Sequence, residues 1–379
     1  MTELVKGFKD YLGEDAEKRT EIQKIMIEIF ERYGFKPAET PIVEYENFVR
    51  GDNEKDDAVS DVFKLKDKGD RKLALRYEFT FQLKRIMNNQ KLPFKRYQIG
   101  SVFRDEPVSA NRFRQFTQCD IDTIGSNSRD EAEILAVTQN LLQELGIKFN
   151  IYFNNRKLLN EILEKERVKN IDYVMKEIDK IDKLPEEQVK KNLEKYGAEN
   201  IIEIFKEKKE FFEKYESYKE IKELQKYLDY YGVEAIFLPN LARGLSYYNG
   251  SVFEVKISGS KDSITGGGSY IFNGVQCTGI SFGLDRLFTL ADIKFTKDKY
   301  LVVSLDKEEE TIKLSKKIRN GGNIASIFYG KPSKALDYAN SYKYNKIVFV
   351  GEKEIKAKKF MVKDMDSGKE KSLDFSAKL

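Results

Sequence analysis

The chain has 379 residues, with 67 Lys and Arg against 63 Asp and Glu, a net charge of +4 that argues against a polycation acting as a whole. At roughly 150 residues per domain the length suggests two or three domains, and 40% apolar with 34% charged residues reads as soluble and globular. Histidine is absent, which excludes a Ser-His-Asp triad, a Cys-His nucleophile, a histidine general base and a zinc finger with histidine ligands. The 2 cysteines, Cys119 and Cys277, are far apart, so a four-thiolate metal site and a multi-bridge disulfide framework are excluded as well, and a reducing cytoplasm fits. Residues 1–19 are charged throughout and no apolar run approaches the ~20 residues of a membrane span, so no membrane partner is expected.

Ile22, Met26, Ile29, Phe30 and Tyr33 recur at three-to-four spacing, which predicts an amphipathic helix over residues 15–33 that stops before Gly34. Short β-type runs follow at 62–65, 73–76, 96–103 and 113–124, divided by charged or glycine-containing turns that suit antiparallel pairing. Ile134, Leu135, Val137, Leu141, Leu142 and Leu145 predict a second helix, with a strand after it at 147–153. From 154 to about 230 Lys and Glu dominate at helical spacing, as in a helical insertion with solvated faces. Strand signals return at 235–238 and 250–257, Gly266-Gly267-Gly268 reads as a turn, and a helix starts near Gly283. Beyond residue 295, strands at 301–303, 324–329 and 347–350 alternate with helices, a small α/β unit.

Residues 296–379 carry 19 Lys or Arg against 12 Asp or Glu, a net of +7, which leaves −3 for the rest of the chain. A basic domain on a mildly acidic body suits a polyanionic partner, because each cation near a phosphate releases counterions. Arginines also stand among glycine and apolar neighbours, at Arg104, Arg112, Arg114, Arg243 and Arg286, in segments that read as buried. A guanidinium matches phosphate or carboxylate bidentately and stays charged, so several converging on one cleft would suit a polyphosphate.

The pattern as a whole resembles the class II aminoacyl-tRNA synthetases, and the histidyl-tRNA synthetase family in particular. Gly7-Phe8-Lys9-Asp10-Tyr11 and Pro41-Ile42-Val43-Glu44 resemble the family's opening segment and its first, dimer-forming motif. Arg104-Asp105-Glu106 with the run from Arg112 to Asp122 is similar to motif 2, and the run from Gly279 to Arg286 to motif 3. Leu241-Ala242-Arg243-Gly244-Leu245-Ser246-Tyr247-Tyr248 and Gly266-Gly267-Gly268-Ser269-Tyr270 resemble the two histidine-specific boxes.

The resemblance implies an α+β fold: a class II synthetase-type antiparallel sheet flanked by helices, with a core in two parts (1–153 with motifs 1 and 2; 235–295 with the histidine boxes and motif 3), a helical insertion at 154–234 and a C-terminal α/β anticodon-binding domain at 296–379. It implies a cytoplasmic homodimer that joins L-histidine to tRNA(His), using ATP and its associated Mg²⁺, with no metal site of its own. By the same resemblance Arg104 and Arg112 hold phosphates, Glu106 faces the adenine, Phe116 and Arg286 sandwich its ring, and Arg243 is catalytic together with Arg104. Glu78, Thr80 and Gln118 match residues around the amino-acid ammonium, Asp122 and Tyr248 those that hold the ring nitrogens, with Tyr247, Arg243 and Gly267 beside them. Little covalent help is needed when cations neutralise the phosphates, so the lack of histidine removes nothing essential. The pattern departs from the family at Ser246, where Asp is usual, at Ser269-Tyr270-Ile271, where Arg-Tyr-Asp is usual, and in the sparse motif 2 loop at 107–111. The competing expectation is a catalytically silent paralogue serving as regulatory subunit of ATP phosphoribosyltransferase; such subunits typically lack the arginine box and the terminal domain.

Overall fold

The computed structural model describes residues 3–50, 61–109, 112–181, 184–243, 247–293 and 297–374. The chain forms two compact units that divide between Asp292 and Ile293.

The first unit is built on an eight-stranded sheet of β1 (Lys36–Pro37), β5 (Phe94–Phe103), β6 (Gln115–Ile124), β7 (Phe149–Asn155), β8 (Ala235–Phe237), β9 (Tyr248–Ile257), β10 (Ser263–Phe272) and β11 (Val275–Gly283), in the spatial order β1-β5-β6-β11-β10-β9-β7-β8. The six central strands pair antiparallel, and only the short outer strands β1 and β8 run parallel to their neighbours. Asn273 and Gly274, both at positive φ (49° and 75°), turn β10 into β11, the backbone that a tight two-residue hairpin requires. Gly266, Gly267 and Gly268 therefore lie inside β10 and not in a turn, which corrects the expectation from the glycine triplet alone.

Alternation gives the sheet two unlike faces. Helix Gly13–Arg32 buries Ile22, Met26, Ile29 and Phe30, the spacing its sequence predicts, and Phe30 packs against Tyr97 of β5 (ring centroids 5.7 Å apart) and Phe282 of β11 (6.3 Å). Truncating a fully buried ring such as Phe30 to Ala costs about 3–5 kcal/mol, so this contact fixes the helix to the sheet. Helix Ser128–Glu144 starts at a capping box of Asn127 and Asp130 and buries Ile134, Leu135, Val137, Leu141 and Leu142. It is tied to the sheet by buried Glu131, which accepts from the hydroxyls of Ser251 (2.7 Å) and Ser269. Ser269 is the position where the family pattern usually has Arg.

A small antiparallel sheet, β2 (Val43–Tyr45), β3 (Lys64–Lys66) and β4 (Lys72–Leu75) in the order β2-β4-β3, covers a core of Val49, Val62, Ala74, Tyr77 and Phe81. Between β7 and β8 the helices Arg156–Lys165, Ile171–Ile178, Glu186–Glu194, Ile201–Phe205 and Tyr218–Tyr231 bury Leu158, Leu159, Ile162, Val174, Leu193 and Leu224 beneath their Lys and Glu faces.

The second unit has the order β13-β12-β14-β15-β16, from β12 (Lys299–Ser304), β13 (Ile324–Tyr329), β14 (Lys346–Val350), β15 (Lys359–Asp364) and β16 (Glu370–Asp374), the first three parallel and the rest antiparallel. Tyr300 and Val302 face one apolar cluster with Leu314 and Ile318, while Leu301 and Val303 face another with Ala335 and Ala339. A strand covered on both sides reads as an unbroken apolar run, which is why 301–303 were legible in the sequence. No helix among the described residues is long and apolar enough to cross a membrane.

Candidate active site

The face of the large sheet away from helix Gly13–Arg32 carries polar side chains separated by glycine. Residues opposite one another in register share a face, which gives three rows: Gly100, Gln118 and Gly283; Gln98, Asp120, Ser281, Gly266 and Glu254; Arg96, Asp122, Gly279 and Gly268. The glycines leave room for the long side chains. A Cβ on Gly266 would sit 2.6 Å from the Arg243 guanidinium carbon, and one on Gly279 would sit 2.1 Å from Asp122 Oδ1. Gly267 alternates to the other side, where a Cβ would meet the Gly279 carbonyl oxygen at 2.0 Å.

Carboxylates cluster on this face. Glu78 lies just past β4, buried, and accepts from Thr80 Oγ1 at 3.1 Å. Burial first, and then the charge of Asp120, push its pKa up to about 7 against the opposing pull of Arg104 and the Thr80 hydroxyl. Gln118 Nε2 donates to both oxygens of Asp120 at 3.0 Å, and burial raises the Asp120 pKa to about 6 even with Arg96 beside it. Asp122 Oδ1 accepts from Tyr270 Oη at 2.5 Å, and its Oδ2 lies 2.7 Å from Arg96 Nη2; burial moves this carboxyl upward too. The rings of Tyr247 and Tyr248 meet at a tilt of 49°, centroids 4.7 Å apart, with Tyr247 donating to Tyr248, and Tyr248 senses the charges of Arg243, Glu78 and Asp122. Arg243, three-quarters buried, approaches Glu254 at 3.7 Å, and its Nε has no hydrogen-bond partner among the described residues. Gly244, Leu245 and Ser246 fall outside the described residues.

Beside this face a cavity of about 490 Å³ is lined by Arg104, Glu106, Arg112, Phe116 and Arg286, the five residues expected to bind nucleotide. The Arg104 guanidinium stands over the Phe116 ring at 5.1 Å and approaches Glu106 at 3.9 Å; Arg112 approaches the same carboxylate at 3.7 Å. The side chain of Arg112 is 72% exposed, because it belongs to the loop between β5 and β6, so its segment is not buried as the sequence suggested. Arg286 is 36% exposed and faces Asp262 at 3.7 Å. Ala110 and Asn111 of the same loop fall outside the described residues. Arg104 lines the cavity and also acts on Glu78, so the two clusters are contiguous.

Sequence reasoning missed three members of the site. Arg96 is fully buried and directly opposite Asp122. Asp120 stands between Gln118 and Asp122 on the same face. Asp285 accepts from Tyr11 Oη (2.5 Å), Arg19 Nη1 (2.6 Å) and the Thr117 amide (3.3 Å), which seats helix Leu284–Leu290 and with it Arg286. Aligning 94–103 against 115–124 as a hairpin would have revealed the first two, since it sets Arg96 and Gln98 against Asp122 and Asp120.

Solved structures share the fold. Histidyl-tRNA synthetase from Nostoc sp. PCC 7120 superposes with a TM-score of 0.86 at 25% identity, covering 98% of this chain and 97% of that one. A Bacillus halodurans C protein described as an ATP phosphoribosyltransferase regulatory subunit/histidyl-tRNA synthetase gives 0.77 at 20% identity, over 92% of this chain and 98% of that one, a likeness of fold. The molecule is a class II aminoacyl-tRNA ligase. Sequence profiles narrow the class, one for histidyl-tRNA synthetase matching residues 7–287 and one for an anticodon binding domain matching 299–377. Histidine-tRNA ligase 1 of Bacillus anthracis is 35% identical over 98% of this chain and 98% of its own length, and histidine-tRNA ligase of Clostridium acetobutylicum 32% identical over 98% and 97%. The chain belongs to the histidyl-tRNA synthetase family.

Proposed function

We propose that the protein activates L-histidine with ATP, forming histidyl-adenylate and pyrophosphate, and then transfers histidine to the 3′ end of tRNA(His). The observation that carries this reading is the joining of two sites on one sheet: the acid face at Glu78, Gln118, Asp122 and Tyr248, and the arginine-lined cavity beside it. Glu78, Thr80 and Gln118 suit an ammonium, which restores the ionised form of the raised Glu78 carboxyl. Asp122 and Tyr248 suit the two ring nitrogens, and a site built to hydrogen-bond a ring rejects apolar analogues because its own polar groups would be left unpaired.

In the activation step a histidine carboxylate oxygen bonds to the α-phosphorus while the bond to the bridging oxygen breaks, and pyrophosphate leaves with the electron pair. Arg243, lying flat on Gly266, faces the charge that builds there, and one preorganised donor of this kind contributes about 10²–10³ in rate. Arg104, Arg112 and Arg286 offset the phosphates, and the planar guanidiniums can also stack on adenine with Phe116, which a lysine could not do. Mg²⁺ would enter on the phosphates of ATP. In the second step a terminal ribose hydroxyl of the tRNA attacks the adenylate carbonyl and AMP leaves; the C-terminal unit, net +7 from residue 296 on, suits the anticodon stem as a polyanion.

Pro41 and Glu44 of the dimer-forming motif lie by the small sheet, where Ile42, Val43, Tyr45 and Leu65 are exposed apolar residues, which supports a homodimer. The regulatory-subunit reading has less support, since Arg243 and a terminal α/β unit are both present. Incorporation of labelled pyrophosphate into ATP that depends on L-histidine tests the proposal; a folded protein without it would favour the regulatory reading.

A further inference from the structure

Asp120 and Asp122 stand on the same face of β6, both buried, and the charge of one guanidinium, Arg96, acts on both. Arg96 is completely buried, sits directly opposite Asp122 in the β5–β6 register, places Nη2 2.7 Å from Asp122 Oδ2, and donates from the same nitrogen to the Phe79 carbonyl at 3.1 Å. Its Nε and Nη1 have no hydrogen-bond partner among the described residues. A buried ion pair with idle donors is a poor way to gain stability, because an apolar side chain of the same size packs there without the desolvation cost. The arrangement has to be explained by what it does to Asp122.

The two aspartates are treated differently. Asp120 is hydrogen-bonded by the neutral Gln118 and Ser281 and feels Arg96 through its charge, whereas Asp122 has Arg96 at ion-pair distance from one oxygen and the Tyr270 hydroxyl on the other. Each carboxylate oxygen has two acceptor positions, so an ionised Asp122 can hold a ring N–H while it is paired elsewhere, and it accepts that N–H more strongly than a protonated carboxyl, which has lost its charge and one acceptor position. The groups facing Asp122 are Arg96 from β5, Asp120 on its own strand, Tyr270 from β10, Cys277 from β11, Tyr248 from β9 and Glu78 from the segment after β4. Among them Arg96 is the cation in direct contact. We infer that Arg96 is a positioning residue for histidine recognition, holding Asp122 ionised and turned toward the ring, with Asp120 as the competing carboxylate that makes this cation necessary. The inference rests on the reading of this face as the histidine pocket.

Arg96→Met, Asp120→Asn and the double variant test it in the full-length chain, by steady-state pyrophosphate exchange from pH 6.5 to 8.5 with KM taken separately for histidine and ATP. Each KM is divided by the unsubstituted protein's at the same pH, which cancels titration of the substrate's own imidazole. In Arg96→Met the two aspartates share a proton at low pH, so the histidine KM ratio is expected to be about tenfold at pH 6.5 and about threefold at pH 8.5, with the ATP ratio within about twofold. The double variant recovers part of the low-pH loss, because removing the like charge lets Asp122 ionise. Asp120→Asn alone, which keeps the ion pair and tests the idea even where Arg96→Met fails to fold, weakens the rise of histidine KM on acidification. A ratio independent of pH, histidine and ATP KM rising together, or Asp120→Asn without effect on the pH profile would each overturn the inference. Absence of histidine-dependent exchange in the unsubstituted protein would instead refute the functional reading beneath it.

Discussion

Replacing Glu78 by Gln should make the empty protein more stable and a worse enzyme. Burial and Asp120 hold the Glu78 pKa at about 7, against an ordinary 4.5. The folded chain thus keeps a proton that the unfolded chain releases, and the stability this carboxyl contributes is complete below pH 4.5 and is lost as pH rises to about 7. At about 1.4 kcal/mol for each tenfold in proton affinity, the interval from 4.5 to about 7 corresponds to about 3 kcal/mol. Gln is nearly isosteric, can still accept from Thr80, and carries no charge to bury. Thermal melting of both proteins from pH 5 to 8 is the assay. The difference in stability between E78Q and the unsubstituted chain should grow in favour of E78Q up to pH 7 and then stay level, several degrees apart. Loss of the anion opposite the substrate ammonium should meanwhile raise histidine KM by roughly ten- to hundredfold, the equivalent of about 1.5–3 kcal/mol for a hydrogen bond to a charged group. A melting difference that does not change with pH, or an unaltered histidine KM, would refute the reasoning.

Two neighbouring glycines should fail in different ways. Gly266→Ala places a methyl 2.6 Å from the Arg243 guanidinium and should abolish most exchange activity while melting stays near that of the parent; Gly267→Ala drives a Cβ to 2.0 Å from the Gly279 carbonyl oxygen and should lower melting and soluble yield. Arg243→Ala should reduce kcat for exchange by about 10²–10³ with little change in ATP affinity, measured by rapid-quench turnover and equilibrium binding. Removing the residues after 295 should spare exchange and sharply weaken tRNA charging, since the net +7 leaves with them; normal charging by the truncated chain would show that the second unit does not hold tRNA.

Periodicity located the elements well wherever one face of a segment is buried and the other is not. Helix Gly13–Arg32 falls where three-to-four spacing puts it and β5 and β6 where the β-type runs do, while β12 and β14, covered on both sides, showed as unbroken apolar runs. The same local logic failed at Gly266-Gly267-Gly268, since a glycine triplet signals a turn until Arg243 is known to lie across it. The turn that does exist, at Asn273-Gly274, was printed in the sequence as the strongest short hairpin signal. The five residues proposed for the nucleotide were named through the family resemblance, and they line one cavity. Arg96 was not, because its meaning depends on a carboxylate in the next strand, and local pattern says nothing of register. Glu78, expected beside the ammonium, lies three residues past the end of β4 at Leu75 and is buried.

The most direct test of the account is a crystal structure with a non-hydrolysable histidyl-adenylate analogue. The account predicts the imidazole between Asp122 and Tyr248, the ammonium at Glu78 and Gln118, the phosphate mimic at Arg243, and adenine in the cavity of Arg104, Phe116 and Arg286. An analogue bound away from the sheet, or with its ring turned from a still-paired Asp122, would contradict it.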